Sequence, residues 1–283
     1  MAEWPAASGG AERAETIGGT ARAYLALLRG QVRAQTAYRT SFLIDVTGNV
    51  GATVSDVLTV LVFFQVTRQL GGFTLTESMV IVGLSAVAFA TADLLVGNID
   101  RMRQYVRTGL FDAVLLRPLG ALPQLLLMDL PLRKLSRALF GVVVLVTALV
   151  AADIPWTPAR VLLALVAPLA GTVFFASIFV ASATVAFWWV ESGELGNALT
   201  YGGRDFTSYP VTVYGGFFRA VFAYGLGFAF VAYYPALALL GRPDPLGLPG
   251  WVGWAAPAVA GLAATGAAAV WRVGVRHYRS TGS

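Results

Sequence analysis

The sequence predicts an all-α integral membrane protein with six transmembrane helices. Three observations carry this. Mean hydropathy is +0.70. Only 12% of the 283 residues are charged, where a soluble domain carries about 25%. The apolar runs are long enough for membrane helices, and they lack the short alternating pattern of a membrane β-barrel.

The elements follow in order. The first 15 or so residues are small and polar, without the apolar core of a signal peptide. The first hydrophobic span is therefore expected to be the insertion signal and to stay in the protein. Over 17–38, Ile17, Ala21, Tyr24, Leu25, Leu28 and Val32 share a helical face, while Arg22, Arg29 and Arg33 lie mostly elsewhere. This predicts an N-terminal amphipathic interfacial helix, lying on the membrane or packed on the protein. Residues 1–38 form a cytoplasmic tail and residues 39–279 the transmembrane domain.

Spans are expected at about 41–66, 78–98, 138–152 and 160–189. "DIPWTPAR" makes the tight turn between the third and fourth, and "FWWV" anchors the end of the fourth at an interface. The fifth span has two readings. Hydropathy favours 219–240, with 191–218 as a cytoplasmic loop. Alternatively 191–218 holds a polar fifth helix, and 213–240 is a re-entrant hairpin before the last span. The last span is expected at about 251–271.

Charge sets the orientation. Under the hydropathy version, seventeen of the 20 basic residues fall on one side, in the N-terminal segment, 99–137, 190–219 and the C-terminus. Only Arg68, Arg160 and Arg242 fall on the other. The positive-inside rule then makes both termini and 99–137 cytoplasmic. A basic balance of this kind indicates cytoplasmic loops and no nucleic-acid partner.

Several chemistries are disfavoured. A phosphate-binding loop needs a lysine, and the single lysine, Lys134, has no glycines before it. There are no cysteines, no GxSxG motif and no metal-spaced cluster, and the lone His277 reads as solvated. The chain is read as non-catalytic, leaving a transporter subunit, a channel or a membrane scaffold.

Charges inside spans mark candidate sites. Asp45 and Asp56 are eleven residues apart, about three helical turns, and so share a face, with Gly48 and Gly51 between. Asp93 lies late in the second span. These three are candidates to line a pathway or partner face; for Asp45 and Asp93 the alternative is a place near headgroups at the cytoplasmic interface, whereas Asp56 lies deeper. Aromatic residues are dense over 201–234, Tyr209 and Tyr234 among them. They are membrane packing, or a lining for amphiphilic or cationic cargo. Between the second and third spans, "RTGLFDAVLLRPLG" puts Leu110, Phe111, Val114 and Leu115 at helical spacing beside Leu116. Arg107, Arg117 and Pro118 flank them. The segment is either a docking helix for a separate motor or a helix floating on lipid.

Four passages carry a resemblance: "YRTSFLIDVTGNV", "RTGLFDAVLLRPLG", "SYPVTVYGGFFRAVFAYGLGFAFVAYYPALALLG" and "WRVGVRHYRSTGS". With Tyr209-Pro210 and Tyr234-Pro235 in place, the chain resembles an ABC-2-type transporter permease, the membrane subunit of a bacterial ABC exporter. It is most similar to the branch without an assigned substrate. Gly227 stands where this branch often has proline. The resemblance implies a plasma-membrane permease dimer, with a second permease that is a related chain or a second copy. It implies separate ABC ATPase subunits that carry ATP and Mg, with no cofactor on this chain, and lipid all round. It makes Arg107, Leu110, Phe111, Val114, Leu115, Leu116, Arg117 and Pro118 the cytoplasmic coupling helix. It also implies an extracellular re-entrant segment. Cargo would be an amphiphilic drug, natural product or lipid-linked molecule. The alternatives are an ABC-linked sensor and a stand-alone channel or secondary carrier.

The charge asymmetry generates a topology test. In a background free of cysteine, Pro5→Cys and Thr281→Cys are each expected to resist impermeant thiol reagents in intact cells and to react after lysis. Labelling of either from outside would reverse the assignment.

Overall fold

The computed structural model describes residues 39–117, 120–128 and 134–279. The expected amphipathic helix, Pro118 and Leu119 lie outside these residues. So do the side chains of Asp45 and Asp56, whose backbone is helical. Every regular element among the described residues is helical.

Helix α1 spans Arg39–Val66. Leu70 and Phe73 then exchange backbone hydrogen bonds across Gly71-Gly72. Both glycines have positive φ (59° and 88°), as this tight turn requires at its two central positions. Thr74 and Glu77 form a reciprocal capping box that starts α2, Leu75–Val96. A 3-10 turn, Gly97–Arg101, leads to three short helices. These are α3 (Met102–Arg107), α4 (Leu110–Leu115) and α5 (Ala121–Met128). Helix α6, Leu135–Ala151, returns antiparallel to α2 at close range. A Cβ on Gly83 would lie 2.6 Å from Leu145 Cα, and one on Gly141 would lie 3.2 Å from the backbone of Ala86 and Val87. Glycine permits this approach, a common device where helices pack without help from water.

Helix α7, Pro158–Thr184, opens with Thr157 as its N-cap and Pro158 as its first residue. At 27 residues it is about 40 Å long. Trp156 precedes it and Trp188 and Trp189 follow it, all exposed, as at two membrane interfaces. Its outward stripe, Leu162, Leu165, Leu169 and Val173, is exposed, as is Leu139, Val142, Val146 and Val150 on α6. Such stripes suit lipid or a partner subunit.

Residues 191–218 are not a loop. They contain α8, Gly193–Thr207, packed on α2 and α7 by its buried Thr200, Gly203, Phe206 and Thr207. Thr207 and Ser85 hydroxyls meet at 2.6 Å. Helix α9, Gly216–Arg219, continues into a π-helical turn, Ala220–Gly225. A 65° bend follows, and after it α10 spans Tyr233–Leu240. The bend rests on Gly227, φ 85°, a conformation closed to proline. The proline common at this place in the resembled branch would have to bend the chain differently.

Both ends of this bent segment meet one short loop. Thr212 donates to the Gly71 carbonyl at 2.7 Å. Arg242 pairs with Glu77 at 2.6 Å and lies over the Phe73 ring at 4.8 Å. Between them, Tyr233 packs edge-on to Phe73. The chain therefore goes out and comes back on one side of the bundle. Helix α11, Ala256–His277, closes the fold against α7. It starts and ends about five residues later than hydropathy suggested, because Gly250–Trp254 is a 3-10 turn and Pro257 sits in the first turn of the helix.

By length and composition, three helical stretches among the described residues could each cross a membrane: Leu75–Arg107, Pro158–Phe187 and Ala256–His277. The bent pair makes up to four.

Candidate functional site: a platform bolted to the helix bundle

The end of α2 drives the local structure here. Asp93 is buried, its side chain 3% exposed. A carboxylate this far from water needs compensation. Lys134 Nζ supplies it at 2.6 Å, and Arg137 Nη1 stands 4.0 Å away. Asp100 lies close by and shares a hydrogen bond with Tyr201 of α8. The pair ties the start of α6 to the end of α2, and so closes residues 97–134 into a loop. Within that loop Asn98 donates to the Leu125 carbonyl at 2.6 Å, and Gln124 donates to the Val114 carbonyl at 3.4 Å. Helices α4 and α5 are held against the bundle as a platform.

Two further fastenings hold the platform. Arg103 and Arg107 on α3 both pair with Glu191, the former at 2.5 Å. Those partners are about half exposed, so each pair contributes little stability and mainly fixes position. The second fastening is a knot of four rings. Phe111 packs on Phe187 (4.9 Å), Tyr278 (4.9 Å) and Trp271 (6.4 Å). Phe187 also meets Trp271 and Tyr278. Burial, and then the Asp112 carboxylate, push the Tyr278 phenol up to about 12, so it keeps its proton at any physiological pH. Trp188 stacks on His277 beside the knot.

This corrects the expected docking face. Phe111 and Val114 are 0% and 2% exposed, because they point into the ends of α7 and α11. They cannot be offered to another protein. Leu110 is partly buried. Leu115, Leu116, Arg107 and Arg117 are exposed, Leu116 to 87%. The apolar periodicity of the segment served two surfaces, one inward and one outward.

Two more expectations change. Asp93 is buried, and its charge is matched within the chain by Lys134. Tyr234 is 1% exposed, wedged between Tyr233 and Phe230, and lines nothing. Tyr209 stays half-buried, edge-on to Phe63 of α1 at 6.3 Å. The sequence reading missed Phe89, the ring at the centre of the bundle. Phe175, Phe179 and Tyr201 surround it. The guanidinium groups of Arg137 and Arg204 lie over it at 5.3 and 5.6 Å. It also missed the "TLTE" capping signature at 74–77 and the Arg242–Glu77 pair. The first is readable by spacing alone; the second joins residues 165 positions apart and is not. Among the described residues no group of three His, Cys, Asp or Glu side chains could hold a metal ion.

The architecture defines a multi-pass helical membrane protein with a structured platform between two of its long helices. The chain belongs to the ABC-2 family of transporter proteins, whose model matches residues 50–282. No curated protein and no solved structure matches it. Membership implies association with an ABC ATPase.

The Asp93–Lys134 pair generates a stability test. Lys134→Met leaves the buried carboxylate with only Arg137 at 4.0 Å, and is expected to cost up to about 3–5 kcal/mol. Asp93→Asn combined with Lys134→Met should recover most of that. Thermal unfolding of the detergent-solubilised protein, followed by tryptophan fluorescence, reads both. A single variant as stable as wild type would show that the pair holds nothing.

Proposed function

We propose that this chain is the permease subunit of an ATP-driven exporter, which forms the pathway as a pair of permeases served by separate ATPases. The observation that carries this is the free face of α8. Glu194, Asn197, Ala198, Gly202 and Asp205 are exposed on it. With Glu194 and Asp205 toward its two ends and Asn197 and Gly202 between them, this face is more polar than the exposed apolar stripes of α6 and α7. That face therefore suits water or another protein: a pathway, a second permease, or both.

The topology supported best is six crossings: α1, α2, α6, α7, α8 and α11. Helix α8 begins beside Glu191, where the platform is fastened. It leads to Thr212, at the loop joining α1 to α2. The segment 213–240 is then a re-entrant hairpin on the outer side. Arg204 and Arg219 leave the inner tally, and fifteen basic residues remain inside. Both termini stay cytoplasmic.

Drive follows from the fastenings. ATP binding would close the partner ATPases around the exposed rim of α4. Because α3 and α4 are fixed to α7, α11 and the start of α8, a displacement of the rim carries those helix ends with it. The pair of permeases would then alternate between inward- and outward-facing states. ATP and Mg belong to the ATPase, and this chain supplies coupling and pathway.

Leu115→Asp with Leu116→Asp is expected to release the ATPase during co-purification while the permease stays folded. Burying such side chains at an interface is worth roughly 1.5–3 kcal/mol each. Arg117→Ala should have a smaller effect, because a rim charge mainly sets register and on-rate. Phe111→Asp should instead unfold the permease itself. An ATPase retained by the Leu115/Leu116 variant, with hydrolysis still coupled, would contradict this docking site.

A further inference from the structure

The outer end of α8 carries an accessible carboxylate, and the Tyr214 hydroxyl reaches the backbone carbonyls of Asp205 and Phe206 beside it. The Asp205 side chain is 73% exposed. Its neighbour Arg204 turns inward, 18% exposed and 5.6 Å from the Phe89 ring centre, and comes no nearer than 3.7 Å to the carboxylate. Asp205 is thus the exposed member of a loose ion pair whose cation is turned inward.

Three segments bring rings to it. Tyr209 is braced edge-on by Phe63 of α1. Tyr214 stacks on Phe206 at 4.3 Å and 25°, and its hydroxyl donates to the Phe206 carbonyl at 3.2 Å. Phe218 follows at 5.7 Å and stacks on Phe222 at 4.3 Å and 21°. The charge of Asp205 acts on both the Tyr209 and Tyr214 phenols. Phe63 and Phe218 remain 46% and 42% exposed. The π-helical turn beyond Phe218, closed by Leu226 N–H on the Val221 carbonyl at 2.8 Å, departs from the regular helix where this wall of rings continues.

We propose that Asp205, Phe63, Tyr209, Tyr214 and Phe218 form a recognition site for cargo that carries an organic cation on an aromatic or otherwise apolar body. The proposal rests on the pathway reading of α8 and names the class of molecule that pathway takes. Ring faces attract cations, and the attraction strengthens as water is displaced. The carboxylate adds charge complementarity that an acyl chain does not need, and it disfavours anions. A stacked, inter-braced wall is already ordered, so little freedom is lost when a flat ligand settles on it.

The test uses the permease–ATPase complex in lipid nanodiscs. Ethidium, a planar aromatic cation, is titrated by fluorescence anisotropy. 1-Anilinonaphthalene-8-sulfonate, an aromatic anion, is titrated beside it. Saturable ethidium binding is expected, weakened about tenfold by Asp205→Asn and by several-fold in Phe218→Leu. Asp205→Glu should restore it, and anion binding should not fall in Asp205→Asn. Ethidium binding that is absent, or indifferent to Asp205, overturns the proposal. So does an Asp205→Asn protein whose permeases separate, since the patch would then be a subunit contact. Retention of the ATPase is read separately: its loss in wild type removes the permease reading, whereas indifference to Asp205 in an intact complex removes only the cation site.

Discussion

The pairing of buried Asp93 with Lys134 is the interaction on which the rest of the inner architecture depends. A carboxylate that is 3% exposed must be matched by a cation, and the chain has one lysine to do it. Lys134 reaches Asp93 only if everything between the end of α2 and the start of α6 folds back on itself. The pair therefore specifies a closed platform where a polar loop could otherwise hang free. Buried ion pairs add little net stability compared with apolar packing, and their value lies more in fixing one arrangement. Here the arrangement fixed is that of the segment proposed to meet the ATPase.

Fixing the platform in place is not enough to make it a lever; it must also resist bending. The four-ring knot of Phe111, Phe187, Trp271 and Tyr278 provides that, because well-packed interiors transmit displacement. Phe111 belongs to the platform, Phe187 follows α7, and the other two close α11. Glu191 extends the same unit toward α8 through Arg103 and Arg107. On the far side of the bundle, Glu77 and Phe73 hold Arg242 and Tyr233 in a comparable way. The bent segment is thus pinned at one end of the bundle, and the platform at the other.

Much of this was legible in the sequence because it follows from hydropathy and charge. The helical class, the long spans around α2 and α7, and the amphipathic segment after the second span all come from local pattern. The ambiguous region was 191–240. Helix α8 is polar on its free face and buries mainly Thr200, Gly203, Phe206 and Thr207, so a hydropathy window passes over it. The bent segment 213–240 is mostly apolar and reads as a span by hydropathy. The contacts of Thr212 and Arg242 with one loop, which bear on the re-entrant reading, join positions far apart in sequence. The docking face was misjudged for a related reason. Phe111 and Val114 have the same periodicity as Leu115, and periodicity does not say which apolar residues a tertiary contact will claim. Asp93 drew attention as an intramembrane charge, but its partner lies 41 positions away, beyond any local pattern.

The central claim is that the platform and the inner ends of α7, α8 and α11 move as one body. The absence of cysteine makes paired spin labels straightforward. Thr108→Cys, exposed between α3 and α4 and outside the docking rim, combined with Arg272→Cys spans platform and α11, and Thr108→Cys combined with Ala198→Cys spans platform and α8. Electron–electron resonance distances would be recorded for the ATPase-bound complex without nucleotide and after trapping with ATP and vanadate. Both intrachain distances should hold through the cycle while ATP is hydrolysed. A shift of Thr108→Cys relative to Arg272→Cys or Ala198→Cys between the two states would show that the platform swings independently, and would contradict the account.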